Sequence, residues 1–181
     1  THAGNYISVR IHGTAFDRTG NLWVSNPRVE KALKVLRPNG QWQTFSTENV
    51  IDNPTLLNID QLHIDKNGTK WLATSLRVLA FNENINTFKK ISEEEGNLPS
   101  NGVRALAIDN RNQIWIGTTN GLRILSSVDR YNSDEQMTTN PIIIMEEGVA
   151  QELFYEQFIT DIVVDGANNK WIGTAESGVF Q

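Results

Sequence analysis

Short apolar runs of Val, Ile, Leu and Phe recur along the chain, separated by clusters of Gly, Asn, Asp, Thr and Pro. Runs that short, bounded by turn residues, predict β-strands. The pattern also repeats. Segments 15–25, 63–73, 107–117 and 163–173 align without gaps, each with an Asp six positions before a Trp: Asp17/Trp23, Asp65/Trp71, Asp109/Trp115 and Asp165/Trp171. The Trp-to-Trp spacings are 48, 44 and 56, and four of the five Trp fall in this one column. The third residue after each Asp is Gly20, Gly68, Asn112 or Asn168. Gly and Asn are the types that tolerate positive φ. A tight hairpin closed by a left-handed residue is therefore expected at each Asp, whose carboxylate accepts from backbone N–H groups two or three residues on.

Each hairpin is followed by a third apolar run: Leu33–Leu36, Val78–Phe81, Leu122–Leu125 and Gly178–Phe180. A fourth closes the first three units: Gln41–Phe45, Asn86–Ile91 and Ile142–Met145. Four antiparallel strands every 44 to 56 residues is the pattern of a β-propeller blade. Inner strands such as Leu106–Ile108 and Ile162–Val164 are apolar on both faces, as blades stacked face to face require. The expected fold is all-β: about three and a half four-stranded blades, at approximately 5–48, 49–97, 98–154 and an incomplete 155–181, as part of a larger, seven-bladed ring. The alternative is a four-bladed ring whose last strand comes from Tyr6–Ile11; Val9 and Ile11 serve better as the first strand of blade one. An open half-ring would leave apolar blade faces bare and is expected to self-associate.

Composition narrows the function. With 16 Lys+Arg against 21 Asp+Glu, the net charge of −5 argues against a nucleic-acid partner. The 39% hydrophobic content is ordinary for a globular chain. No apolar run approaches the roughly 18 residues of a membrane-spanning helix. The absence of Cys excludes disulfides, thiolate zinc sites and Cys nucleophiles. Thr1 in place of an initiator Met, with no signal peptide, is what a processed or cut N-terminus would show.

The Asp-x-x-Gly/Asn-x-x-Trp-Ile-Gly-Thr repeat, with Gly-Leu/Val at the third strand, resembles the two-component-regulator propeller repeat of periplasmic sensors in Bacteroidetes hybrid histidine kinases. Streptogramin-lyase-like propellers are similar. Two longer stretches, Asn21–Trp42 and Gly148–Leu153 with Ile159–Phe180, resemble PorZ-like propeller proteins of the type IX (Por) secretion system. That resemblance implies a non-enzymatic accessory role in the periplasm or at the cell surface. The implied partners are other domains of the same protein, a sortase, and the anionic lipopolysaccharide to which cargo is joined. A kinase-linked, glycan-binding sensor and a propeller lyase are the competing readings, since a fold does not choose its function.

The residues themselves offer little chemistry. Asp165 to Glu176 has the length of a calcium loop, but Ala167 and Lys170 stand where a ligand and a Gly are needed. His2, His12 and His63 form no sequence cluster; His63 reads as a strand-face or interblade residue. Asn67–Thr69 matches a glycosylation sequon and reads as a hairpin turn. There is no Gly-x-Ser-x-Gly elbow, dinucleotide fingerprint or Walker pattern, so no cofactor is expected. The Trp column is read as interblade packing; Trp42, on an outer strand, is read first as packing and second as a partner contact. Binding is expected at loops gathered on one ring face: Arg28, Lys31, Arg77, Asn120 and Glu176 in second-to-third-strand loops, and Asn101 in a crossing between blades. Arg28, Lys31, Lys34 and Arg37 fall within ten residues. They read either as a solvated edge or, for Arg28, Lys31 and Arg37, as an anion-recruiting patch. The segment 129–140 is polar and expected to be an exposed loop.

Overall fold

The computed structural model describes residues 10–133 and 135–181. Four blade sheets and one separate hairpin are built from antiparallel neighbours in chain order. The first contains β1 (Thr14–Phe16), β2 (Leu22–Ser25), β3 (Leu33–Leu36) and β4 (Trp42–Phe45). The second contains β5 (Ile59–Ile64), β6 (Lys70–Thr74), β7 (Val78–Asn82) and β8 (Thr87–Ile91). The third contains β9 (Val103–Ile108), β10 (Ile114–Thr118) and β11 (Gly121–Leu125). Next come a separate two-stranded hairpin, β12 (Ile143–Glu146) with β13 (Val149–Glu152), and a last sheet of β14 (Ile159–Val164), β15 (Lys170–Thr174) and β16 (Val179–Phe180). Together the blades form a sector of a propeller ring.

The core lies between blades, because every sheet buries one face on each neighbour. One cluster joins blades one and two through Trp23, Leu33, Val35, Phe45, Leu62, Leu72 and Phe81. A second joins blades two and three through Trp71, Val78, Ile91, Leu106, Ile114, Tyr131 and Met137. A third joins blades three and four through Ala105, Leu122, Ile159, Ile162 and Ile172. Strands β6 and β7 are buried at every position, as the non-alternating apolar pattern requires. The blades approach so closely that a Cβ on Gly117 would sit 2.5 Å from Ile159 Cγ2. Any side chain there would push blade four away.

Three expectations need correction. Ile142–Met145 is not the fourth strand of blade three. That position is held only by an isolated bridge between Ile124 and Asn140. Pro141 follows, with no N–H to donate and a fixed φ, and the chain leaves the blade to pair Ile143–Glu146 with Val149–Glu152. The first strand of blade one is Thr14–Phe16, pairing with Leu22–Val24. Ile11 lies outside it, and Val9, with the rest of Tyr6–Ser8, falls outside the described residues. The Asp129–Asn140 segment is also not simply an exposed loop: it includes a short 3-10 helix, Val128–Asn132, that buries Val128 and Tyr131.

Candidate functional site

Each repeated hairpin is held by one carboxylate. In blade one, Asp17 Oδ1 accepts from the backbone N–H of Thr19 at 2.9 Å and of Asn21 at 3.0 Å, and Oδ2 accepts from the Trp23 indole at 2.8 Å. Asp65 repeats this with Asn67, Thr69 and Trp71, and Asp165 with Ala167, Asn169 and Trp171. Asp109 accepts from Arg111, Gln113 and, at 3.4 Å, Trp115. The bonds therefore reach two and four residues on, and the six-residue Asp–Trp spacing is the reach of an indole N–H back across the turn. Gly20, Gly68, Asn112 and Asn168 have φ of 83°, 79°, 63° and 69°. Burial alone would raise the Asp17 carboxyl, but hydrogen bonds from Trp23, Asn21 and Thr19 outweigh it and hold it well below the usual carboxylate range. Asp109 is lowered in the same way, against burial, by Gln113 and by Lys170 at 3.1 Å.

The Trp column meets the next blade. Trp23 and Trp71 are fully buried, Trp115 is partly buried, and Trp171 is 42% exposed. Lys70, which precedes Trp71, places Nζ 3.8 Å from the centre of the Trp23 ring, and Lys170 stands 5.0 Å from that of Trp115. Both are cation–π contacts across a blade seam. Trp23, Phe45, Phe81 and Phe88 continue as a run of ring contacts 4.5 to 6.2 Å apart.

At the other end of the second strands, Thr74, Thr118 and Thr174 turn the chain. Thr74 Oγ1 accepts from the Leu76 and Arg77 N–H groups and donates to Arg77 O. Thr118 and Thr174 do the same for Asn120 with Gly121, and for Ser177 with Gly178. These loops are tied to the segment entering the same blade: Ser75 N–H donates to Asn58 O, Thr119 to Gly102 and Ala175 to Phe158. The loops thus form a braced rim. The signal for this was the Thr three residues after Trp, to which the sequence reading assigned no role.

The candidate binding residues are divided by this geometry. Arg28 and Lys31 are exposed on the rim, and Arg28 N–H donates to Leu57 O. Arg77 reaches Val50 O at 3.2 Å, while its Nε is buried without a partner among the described residues. Asn120 Nδ2 donates to Pro99 O, and Glu176 is exposed. Asn101 is committed locally, exchanging two hydrogen bonds with Glu93. Arg37 lies in the β3–β4 turn at the opposite rim, ion-paired with Glu83, bonded to Gln43 at 2.8 Å and 5.8 Å from the Trp23 ring centre. At about 3.4 Å per strand residue, six residues place Arg37 roughly 20 Å from Lys31. The four basic residues therefore do not form one patch. Lys34 instead donates to Lys31 O at 3.0 Å. Trp42 is 58% exposed on β4. His63 is half-buried on β5, its pKa lowered by burial, with Asp161 partly opposing. His12 meets Ile59 O at 3.0 Å, and His2 lies outside the described residues. Among the described residues no helix is long and apolar enough to cross a membrane.

Comparison with known proteins places this geometry. Residues 97–120 match the family described as Two component regulator propeller. The fold is a β-propeller. PorZ of Porphyromonas gingivalis, an essential surface component of the type-IX secretion system, superposes with a TM-score of 0.81 at 24% identity, over 99% of this chain and 27% of that one. The extracellular domain of a putative hybrid two component system from B. thetaiotaomicron gives 0.63 at 16% identity, over 93% of this chain and 21% of that one. Virginiamycin B lyase from Staphylococcus aureus gives 0.62 at 13% identity, over 98% and 56%. The chain thus spans about a quarter of the length of PorZ. No curated protein sequence matches it.

Proposed function

We propose that the chain is a non-enzymatic binding and assembly module of a type IX secretion surface complex, at the periplasmic or outer face of the cell envelope. The observation that carries this reading is the superposition on PorZ over 99% of the chain, with a TM-score of 0.81. Its implied partners are a sortase and anionic lipopolysaccharide. A braced rim suits this role: loops on a rigid scaffold present a fixed surface, so little ordering entropy is lost on docking. Arg28 and Lys31 supply the rim cations, and Arg37 is withdrawn from that role by Glu83.

The test is binding of purified anionic lipopolysaccharide, and of the sortase, to the full-length protein across a salt series. The Arg28→Glu/Lys31→Glu variant should associate more slowly and with a flatter salt dependence, because rim charges act mainly on encounter. Equal salt slopes would remove these two residues from the interface. A second reading is supported by the family match at 97–120: an extracellular sensor propeller of a two-component system. Binding of a neutral glycan, with neither secretion partner bound, would favour it.

A further inference from the structure

One hydrogen bond recurs at two of the three blade seams and is missing at the first. Between blades two and three, Asn112 Oδ1 accepts from the Lys66 backbone N–H at 2.9 Å. Between blades three and four, Asn168 Oδ1 accepts from the Asn110 N–H at 2.8 Å. In both cases the left-handed residue of one turn holds the residue after Asp in the preceding turn. Between blades one and two the corresponding pair is Gly68 and Arg18. Gly68 has no side chain to offer, and a Cβ built on it meets nothing within 4 Å. Among the described residues nothing accepts from the Arg18 N–H. A main-chain donor is left open where the other two seams place an amide oxygen.

Arg18 borders a cavity of about 310 Å³ on the face opposite the braced rim. Its apolar lining is Phe16, Ile64 and Ile108, three equivalent positions, with Phe16 71% exposed. Its cations are Arg18, exposed, and Lys66, whose ammonium spends one hydrogen on Asn110 O. Asp17, Asp65 and Asp109 also border it, with their oxygens engaged by their own turns and indoles. Those three charges disfavour a polyanion. They leave room for one carboxylate held by a backbone N–H and two cations, the geometry of a charge-assisted anion site.

We propose that this mouth, formed by the first hairpins of blades one to three, docks a peptide segment through a single carboxylate. One carboxylate takes the place of the missing amide oxygen on the Arg18 N–H, flanked by the guanidinium and the Lys66 ammonium. The adjoining apolar side chain lies on Phe16, Ile64 and Ile108. The surface is distinct from the rim, so its occupancy is separable from the assembly role proposed above.

The experiment is an anisotropy titration of the full-length protein with a labelled, end-blocked peptide, Gly-Leu-Glu-Phe-Gly, beside its Gly-Leu-Gln-Phe-Gly counterpart. The acidic peptide should bind about tenfold or more tightly than the amide peptide, and Arg18→Gln should remove most of that difference. Gly68→Asn installs the internal acceptor in a conformation Asn112 and Asn168 already adopt. It should weaken binding several-fold without lowering the urea midpoint. If Gly68→Asn does lower the midpoint, the exposed Arg18→Gln variant carries the test. No binding up to about millimolar peptide, equal binding of the two peptides, or wild-type affinity in a well-folded Gly68→Asn variant would each overturn the proposal. So would displacement by inorganic phosphate or anionic phospholipid vesicles as effective as by unlabelled peptide.

Discussion

Blades two and four contain the same hairpin in two surroundings. In both, Asp accepts from the second and fourth N–H groups after it and from the Trp indole, at 2.9 Å for Trp71 and 3.2 Å for Trp171. Yet Trp71 is fully buried and Trp171 is 42% exposed. Blade three accounts for the difference, because Ile114, Tyr131 and Met137 share a cluster with Trp71. The hairpin is a local object. Its worth to the fold is set by what lies against it.

The most demanding check of that contrast is truncation of the two Trp. Trp71→Ala should cost about 3–5 kcal/mol in chemical denaturation, the range for a fully buried aromatic, and Trp171→Ala less than half of that. Equal costs would show that the indole–carboxylate bond, rather than blade packing, dominates. Next in size is the carboxylate. Asp109→Ala should cost about 1–2 kcal/mol through lost turn bonds, and it also removes the ion pair to Lys170 at 3.1 Å. Asp165→Ala, at an exposed turn, should cost less; a larger loss there would break the comparison.

Backbone strain comes third. Gly68→Val forces a β-branched residue to φ near 79° and should cost about 1–2 kcal/mol. Urea unfolding of the Val variant with the parent midpoint would contradict the left-handed assignment. The smallest effect is in pH. His63 is lowered by burial, so its unfolded form binds the proton more readily, and its contribution is present above about pH 6.5 and lost progressively as pH falls below that toward the lower folded-state value. Asp17, Asp109 and Asp165 are also lowered. Their contribution is present above about pH 4 and lost on further acidification. A His63→Gln variant should flatten the first slope and leave the second, which thermal unfolding at intervals between pH 8 and 3 would resolve.

Much of the fold was legible because the signal is local. Asp, a Gly or Asn three residues on and a Trp three beyond that close one hairpin within seven residues, and the apolar runs beside it have no polar face to turn toward water. Strands, repeat and propeller architecture follow from that pattern alone. The candidate binding residues were less legible. Nearness in sequence suggested one basic patch, but a strand between Lys31 and Arg37 carries them to opposite rims, and Glu83, 46 residues away in sequence, takes Arg37. Lys70 over Trp23, Asn112 on Lys66 and the departure of Ile143–Glu146 from blade three are likewise decided between blades. A turn is set by bonds among its own few residues. A seam depends on which side chains two separately formed sheets bring into contact, and only packing settles that.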